Sequence, residues 1–516
     1  MLHKNKFYVI FSVLHSVFRN EVSKMKSKEQ LFEMLRNVLQ ENDISVYSLA
    51  KITGINRSTL QKAMNGTRSL TLRQFKSLID ALPLSARENE YFYIGFMECS
   101  WDSERIKNNR YMLDILDTIS GTLGSTPAPS VSVKVKYENT KSVYYGSENV
   151  KDVATMLVYD ELFTADKPEI RLYVPLSDEF ANNTVTRFVC GCEKPVSVSL
   201  LFEFLKSAKY STTANLSSLK TIIPMILDSR ERFKLYYFYA DDYVYRSHPT
   251  PYPYYIILSD KAVMLDAELE SAIVISDAEI VNAMKCTHDK KAADASPLQS
   301  AQVDLSKNIS ILMNNHVMDT DMYAISYEPC ISCFVPAQMY SELITDDMPH
   351  KEEFVALIAD RLTQITDVPT KYALFNKDSI SDFVREGSIV PFKHPCLKTC
   401  TLKQRREILT NIYNTMDDTK VIMRAFSSDK INVTKNYELT DIQCNLNFQM
   451  LIYGENSTFR LITINEPIIS RTVINFFKDI IETHYTFTYE QTRQLIKDNI
   501  ALLDKMIADE EGLTNS

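Results

Sequence analysis

Through the first hundred positions, apolar residues recur every three to four places: Leu31, Leu35, Val38 and Leu39, then Leu49 and Ile52, then Leu60 and Met64, then Phe75, Leu78, Ile79 and Leu82. That period lines each group along one face of a helix, so the groups can share one small core. The helix starts are marked as well. Ser27 with Gln30, Thr71 with Gln74 and Ser85 with Glu88 have the spacing of a capping box, in which the hydroxyl accepts a backbone N–H three residues on and the Gln or Glu reaches back. Between the first two boxes, Ser45 and Asn56 can act as N-caps for two short helices over 46–53 and 57–65. Gly54 suits the tight turn between them, Ala50 lets them cross closely, and Gly66 after Asn65 stops the second.

The pattern changes further along. Residues 102–119 read as another helix, with Ile106, Leu113, Leu116 and Ile119 apolar, and the Gly/Ser/Thr/Pro-rich run 121–130 reads as a linker. Strand-like and helix-like stretches then alternate: strands over 131–137 and 143–145, a helix over 150–163, a strand over 170–175. In a stretch rich in aromatics, runs over 233–239, 254–259, 262–266 and 272–275, the first two carrying the aromatic residues, read as consecutive strands of an antiparallel meander. Helices are predicted over 351–366, over 401–415 behind the capping box Thr401–Gln404, and over 471–484 and 489–508. No internal repeat is evident. The predicted architecture is multidomain: an N-terminal all-α, five-helix domain, then a large α+β (mixed α/β) body with a helical C-terminus. Its divisions are an extension over 1–26, the helical domain over 27–98, a helix and linker over 99–130, an α/β domain over 131–300 and a second part of the body over 301–516.

Charge separates head from body. Residues 1–90 hold fourteen Lys/Arg against eight Asp/Glu, whereas the whole chain carries −9, leaving residues 91–516 strongly acidic. A basic head suits a phosphate backbone that would repel the body. Glycine, at ten in 516, is scarce, and residues 192–386 contain none. With no G-x-x-x-x-G-K-[ST], G-x-G-x-x-G or G-x-S-x-G, nucleotide-cradling and hydrolase-elbow readings lose their support. Nine scattered cysteines fit reduced thiols in a cytoplasmic protein. The basic-then-apolar stretch 4–18 is broken by His15 and has no small-residue cleavage site, so it reads as no signal peptide. Met25 then reads as the working start. No apolar run reaches the ~18 residues of a membrane span.

The run Ser45-Val-Tyr-Ser-Leu49-Ala50-Lys-Ile-Thr-Gly54-Ile55-Asn56-Arg57-Ser-Thr-Leu60, followed by Asn65-Gly66, resembles the lambda-repressor-like (xenobiotic-response-element) helix-turn-helix family. The resemblance covers about 70 residues. It implies that the second short helix enters the major groove of double-stranded DNA, with Arg57, Ser58, Gln61 and Lys62 toward the bases and Asn65, Thr67 and Arg68 at phosphates. Arg can fork onto guanine and Gln onto adenine, and residues 44–79 contain six Lys/Arg and no acid. Val46 departs from the pattern, standing where the family often has a DNA-contacting glutamine.

Other candidate chemistry weighs less. Cys330-x-x-Cys333 with His394-x-Cys396-x-x-x-Cys400 has ligands enough for zinc, but 330–334 reads as a strand, where paired zinc thiolates are unusual; core thiols are the expectation. His288-Asp-Lys290 has the H-x-K element of phospholipase-D-like phosphodiesterases, yet the acid falls one place early at Asp294, no second copy exists, and the segment reads as a charged helix end. Asp241-Asp242 and Asp346-Asp347 read as solvated turns. Tyr236, Tyr237, Tyr239, Tyr243, Tyr245, Tyr252, Tyr254 and Tyr255 could line a ligand pocket, though a sheet surface explains them better. The expectation is therefore a non-enzymatic, cytoplasmic, homodimeric transcription regulator that needs no metal or cofactor, does not meet a membrane, and has a body that senses a small molecule or protein. The alternatives are an interaction scaffold with a degenerate head and an effector enzyme targeted to DNA by it.

Overall fold

The computed structural model describes residues 28–124, 142–176, 185–206, 211–228, 231–240, 250–304, 321–346, 351–353, 355–356, 369–389, 397–435, 437–442, 447–453, 458–464 and 466–514. The predicted capping residue Ser27, the strand over 131–137, most of the helix over 351–366, and Tyr243, Tyr245, Asp241, Asp242, Asp347, His394 and Cys396 lie outside the described residues. Two compact units emerge: residues 1–110 with 476–487, and residues 111–475 with 488–516.

The first unit is helical: α1 (Lys28–Glu41), α2 (Val46–Thr53), α3 (Arg57–Met64), α4 (Leu72–Asp80), α5 (Ala86–Ser100) and the start of α6 (Ser103–Gly124). Both described capping boxes form. Thr71 Oγ1 accepts from Gln74 N at 3.2 Å while Gln74 returns to Thr71 N at 3.0 Å, and Ser85 and Glu88 repeat the arrangement. Leu31, Leu35, Leu49, Leu60, Phe75, Leu78 and Ile79 meet in one buried cluster. The helix expected over 102–119 runs on through Gly121 to Gly124, with Ile119 and Ser120 both buried.

The second unit is built twice. Its eight-stranded sheet has the order β1-β7-β6-β5-β2-β3-β4-β8, from β1 (Val143–Tyr145), β2 (Glu169–Tyr173), β3 (Ser197–Leu205), β4 (Phe233–Ala240), β5 (Tyr254–Ile257), β6 (Ala262–Leu265), β7 (Ser271–Ile275) and the two-residue β8 (Ser296–Pro297). Strands β2, β3 and β4 are parallel, β5 to β7 form an antiparallel meander, and β1 closes the far edge against β7.

The seven-stranded sheet, β12-β11-β10-β13-β14-β15-β9, repeats that plan. It comprises β9 (Gln299–Asp304), β10 (Met322–Ser326), β11 (Lys371–Asn376), β12 (Val421–Phe426), β13 (Tyr437–Ile442), β14 (Asn447–Tyr453) and β15 (Thr458–Ile464). Here β10, β11 and β12 are parallel, β13 to β15 form the meander, and β9 closes the edge against β15. A helix follows the meander in each half: α10 (Ala278–Asp294) in the first and α14 (Pro467–Ile480) in the second. The remaining helices are α7 (Ser147–Thr164), α8 (Arg187–Gly191), α9 (Ser211–Ile226), α11 (Ala337–Leu343), α12 (Asp378–Glu386), α13 (Leu402–Thr415) and α15 (Tyr489–Thr514).

Three expectations change. The chain carries a duplicated topology where no repeat was legible. The run over 233–239 does not join the meander; β4 pairs in parallel with β3, from Val198 with Phe233 to Leu205 with Ala240. Its partner β3 is buried at Val198, Leu200, Phe202 and Phe204 on one face and at Leu201 and Leu205 on the other, as a parallel strand covered on both faces should be. Residues 331–334 form a 3-10 turn rather than a strand.

His288 lies in α10, fully buried, with Nε2 2.8 Å from Ser199 Oγ and Nδ1 3.2 Å from Tyr255 OH. Beside it Arg171 of β2 donates to both carboxylate oxygens of Asp289, at 2.7 and 3.2 Å. These polar pairs dock the helix on the sheet, and His288 is a docking residue. Burial pushes its imidazole down to about 4, with Asp289 opposing and Arg171 and Lys291 assisting. The unfolded chain, at about 6.5, therefore binds the proton first, so the docked helix keeps its full stability above that pH and loses it as pH falls toward 4. Urea denaturation at pH 7.5 and pH 4.5 is expected to show wild type losing about 2 kcal/mol more than His288→Gln. Equal losses would show that His288 does not titrate in this window.

Candidate nucleic-acid interface

The interface rests on how α2 and α3 are started, separated and stopped. Ser45 Oγ accepts from Ser48 N at 3.0 Å, capping α2. Gly54 follows with φ 69°, the left-handed conformation that the sharp turn requires and that glycine adopts without strain. Thr53 Oγ1 donates to Leu49 O at 2.8 Å and accepts from Ile55 N at 3.3 Å, closing the corner. Asn56 Oδ1 then caps α3, accepting from Ser58 N at 2.9 Å and Ser58 Oγ at 2.8 Å. At the far end Gly66, φ 72°, allows Gly66 N to donate to Ala63 O and Thr67 N to Lys62 O, both at 2.9 Å, the paired bonds of a Schellman stop. Arg36 of α1 donates to Met64 O and so meets another terminal carbonyl of α3.

This framework turns Thr59, Leu60, Ala63 and Met64 inward and leaves Arg57, Ser58, Gln61 and Lys62 exposed on the opposite face of α3. Asn65 is the C-cap residue, and Thr67 and Arg68 follow it, all exposed. The seven candidate residues therefore share α3 and the turn after it. Two of them are already engaged. The Ser58 hydroxyl donates to Asn56, leaving it only acceptor capacity, and Thr67 Oγ1 donates to Lys62 O at 3.0 Å. The Arg57 guanidinium sits 5.9 Å from the ring centroid of Tyr47, which is 66% exposed on α2. Tyr47 is a candidate contact the sequence pattern did not single out.

Of the six cations over 44–79, Lys51, Arg57, Lys62, Arg68 and Arg73 are exposed. Lys76 is not. Only 8% exposed, it donates through Nζ to Thr483 O at 2.7 Å and Thr486 O at 2.9 Å. Those carbonyls belong to residues 476–487, the part of the C-terminal chain that completes this unit. In the same segment the buried Asp479 accepts from Arg105 Nε at 2.8 Å and Asn109 Nδ2 at 2.9 Å, and the His484 ring stacks on Tyr93, centroids 4.9 Å apart. Tyr93 also packs edge-on against Phe75 of the core, at 6.0 Å. Burial pushes the Asp80 carboxyl up, with Lys76 pulling the other way. A sequence signal existed: at helical spacing Lys76 follows Leu72 and precedes Ile79, on the apolar face of α4.

A family model for the Cro/C1-type HTH DNA-binding domain matches residues 34–85. Residues 34–85 are a Cro/C1-type helix-turn-helix DNA-binding domain. The Cro/C1-type match takes in α2, the turn, α3 and α4, and stops short of α5 and of residues 476–487. No curated protein matches the chain.

Among solved structures, the chain is similar to TrmBL2, described as an archaeal chromatin protein with a novel mode of DNA binding, at 12% identity over 50% of this chain and 99% of that one, TM-score 0.20. It is also similar to a phosphatidylserine synthase of Haemophilus influenzae (10% identity, 77% and 98% covered, TM-score 0.25). A polyphosphate kinase of Porphyromonas gingivalis follows (10% identity, 68% and 53% covered, TM-score 0.21). Likenesses of this size carry no argument about the body. Among the described residues, no group of three or more His, Cys, Asp or Glu comes together as a metal site, and no helix is long and apolar enough to cross a membrane.

Replacing Lys76 by Met keeps the apolar stem and removes the donor, stranding the carbonyls of two buried residues. Unfolding in urea is expected to show a loss of about 2 kcal/mol, with faster amide exchange over 483–486. Unchanged stability and exchange would mean that the segment is held without Lys76.

Proposed function

We propose that this chain is a sequence-specific transcription regulator, non-enzymatic and cytoplasmic, whose head reads double-stranded DNA as a homodimer and whose acidic body senses a small molecule or protein. The observation that carries the reading is the exposed face built by Arg57, Gln61 and Lys62 on α3, continued by Asn65 and Arg68, in a stretch with five exposed cations and no acid. Arg57 and Gln61 supply the forked donor and the amide that suit guanine and adenine edges. Ser58 contributes as an acceptor. Asn65 and Arg68, on the turn beyond the helix, hold phosphates, with Thr67 fixing that turn. A dimer would set two such helices about 34 Å apart along the duplex, matching one helical turn.

The body's charge favours its standing away from the phosphates. An interaction-scaffold reading has one observation of its own: Tyr47 and Ile52 are 66% and 67% exposed on α2.

Selection of bound duplexes from a random pool, comparing wild type with the Arg57→Ala, Lys62→Ala double variant, separates the two readings. An enriched palindromic motif lost in the variant supports the regulator; no enrichment at low salt with folded protein supports the scaffold. Arg57→Ala is expected to relax preference at one base position by about 1 to 3 kcal/mol. Arg68→Ala is expected to weaken binding to all sequences alike and to reduce the salt slope by about 1. Equal losses on every duplex for both variants would overturn the assigned roles.

A further inference from the structure

The parallel crossover from β10 to β11 opens with a turn that holds Cys330 and Cys333. Their Sγ atoms are 3.0 Å apart, about 1 Å from the ~2.05 Å of a disulfide. Cys333 N donates to Cys330 O at 2.9 Å, so the two share one 3-10 turn, and Cys330 enters it at φ 33°, a left-handed backbone that strains a residue bearing a Cβ. The turn is fixed by its neighbours: Tyr340 OH donates to Ser332 O at 2.6 Å, and Asn411 Nδ2 donates to Phe334 O at 3.0 Å. Both cysteines are half-buried.

Lys371, the first residue of β11, lies against this turn, 5% exposed, with Nζ 5.6 Å from the Phe334 ring centroid. A buried ammonium is costly without a negative partner. The groups facing it are the Cys333 sulfur, within hydrogen-bonding reach, the Cys330 sulfur, and the carboxylate of Glu438 on β13. The hydrogen bond from Cys330 and the charge of Lys371 hold the Cys333 thiol below the ordinary range, while the same bond and burial push Cys330 well up. With the Lys371 ammonium against it, Cys333 is the sulfur prepared to attack, and Cys330, 3.0 Å away, the one that resolves in the second step.

We propose that Cys330 and Cys333 form a reversible dithiol–disulfide pair, with Cys333 the attacking sulfur, Lys371 its positioning cation and a small-molecule disulfide the oxidant. The Cys333 thiolate attacks one sulfur of the oxidant, forming a mixed disulfide and expelling the first thiolate. Cys330 then gives its proton to that thiolate, attacks Cys333 Sγ and expels the second, which takes the proton first released by Cys333. The chain loses two electrons and two protons, which together turn the oxidant into two thiols. A reduced dithiol reverses both steps.

The test uses the full chain equilibrated in mixtures of reduced and oxidised glutathione, quenched with acid, alkylated and cleaved, with the peptide carrying both cysteines weighed. In oxidising mixtures that peptide is expected to lose two hydrogens and gain no alkyl group, and to regain both thiols on reduction, whereas the exposed Cys286 ends as a mixed disulfide with glutathione. In the Cys330→Ser background, where a hydroxyl still donates to Cys333, the pH midpoint for alkylating Cys333 is expected below that of Cys286 in the same molecule. Lys371→Gln should raise that midpoint and slow disulfide closure about ten-fold at pH 7. Full alkylation of both cysteines after oxidation, a Cys333 midpoint at or above that of Cys286, or stoichiometric zinc in the purified protein with both thiols reduced would each overturn the assignment. If Lys371→Gln fails to fold, the comparison of Cys333 with Cys286 decides alone.

Discussion

An ammonium group withdrawn from water must be met by acceptors, and the side chain of Lys76 meets two carbonyls more than four hundred positions away in the sequence. That requirement decides what belongs to the DNA-binding unit. A helix-turn-helix needs only α1 to α4 to shape its reading face, yet here α4 has a charged residue on the side that must be buried. The Lys76 ammonium lies near the Asp80 carboxyl and donates to two backbone carbonyls of the turn after α14. Asp479 and His484 then fall where Arg105 and Tyr93 can hold them. Satisfying one buried charge thus draws a remote piece of chain into the unit, and several side chains of that piece are committed in turn.

The body depends on a different constraint. Parallel strands must be connected by crossovers, whereas a meander needs only tight turns. Each half spends its long connections on three parallel strands and its short ones on the meander, then uses the strand that came first to close the open edge. The buried polar pairs follow the same economy. Arg232 is held by Asp228, with Nε and Nη2 at 3.0 and 2.6 Å, and Arg460 of β15 donates to Asp228 O at 2.8 Å, so a residue of the second sheet satisfies a carbonyl of the first half.

Much of the head was legible because its signals are local. Capping at Ser45, Asn56, Thr71 and Ser85, positive φ at Gly54 and Gly66, and helical spacing in the core each involve residues within a few positions of one another. The placement of Arg57, Gln61 and Lys62 on an outward face is what the family resemblance implies, and all three are exposed. What failed to show was non-local. Whether the run beginning at Phe233 pairs with Val198 or with Tyr254 is a question of partner, and β-branched and aromatic residues suit either. The duplication leaves its mark in strand order, with no matching residues that a reader of one sequence could align. The segment 330–334 reads as a strand from its mostly apolar side chains, while its backbone is bent by a left-handed residue that is not glycine. Composition alone groups Lys76 with the basic face, because the carbonyls that hold it lie far downstream.

Those partners carry a consequence for the order in which the molecule is made. A ribosome releases the helix-turn-helix segment well before residues 476–487, and small domains commonly fold as they emerge. This one cannot finish then, because residues 476–487 follow only after the body has been added. Until they arrive, Lys76 has no buried carbonyls to meet and Tyr93 has no His484 to stack on. A nascent chain, or one cut short before residue 476, therefore presents an incomplete DNA-binding unit, and a domain begun ahead of the body is completed only after most of the body has been made.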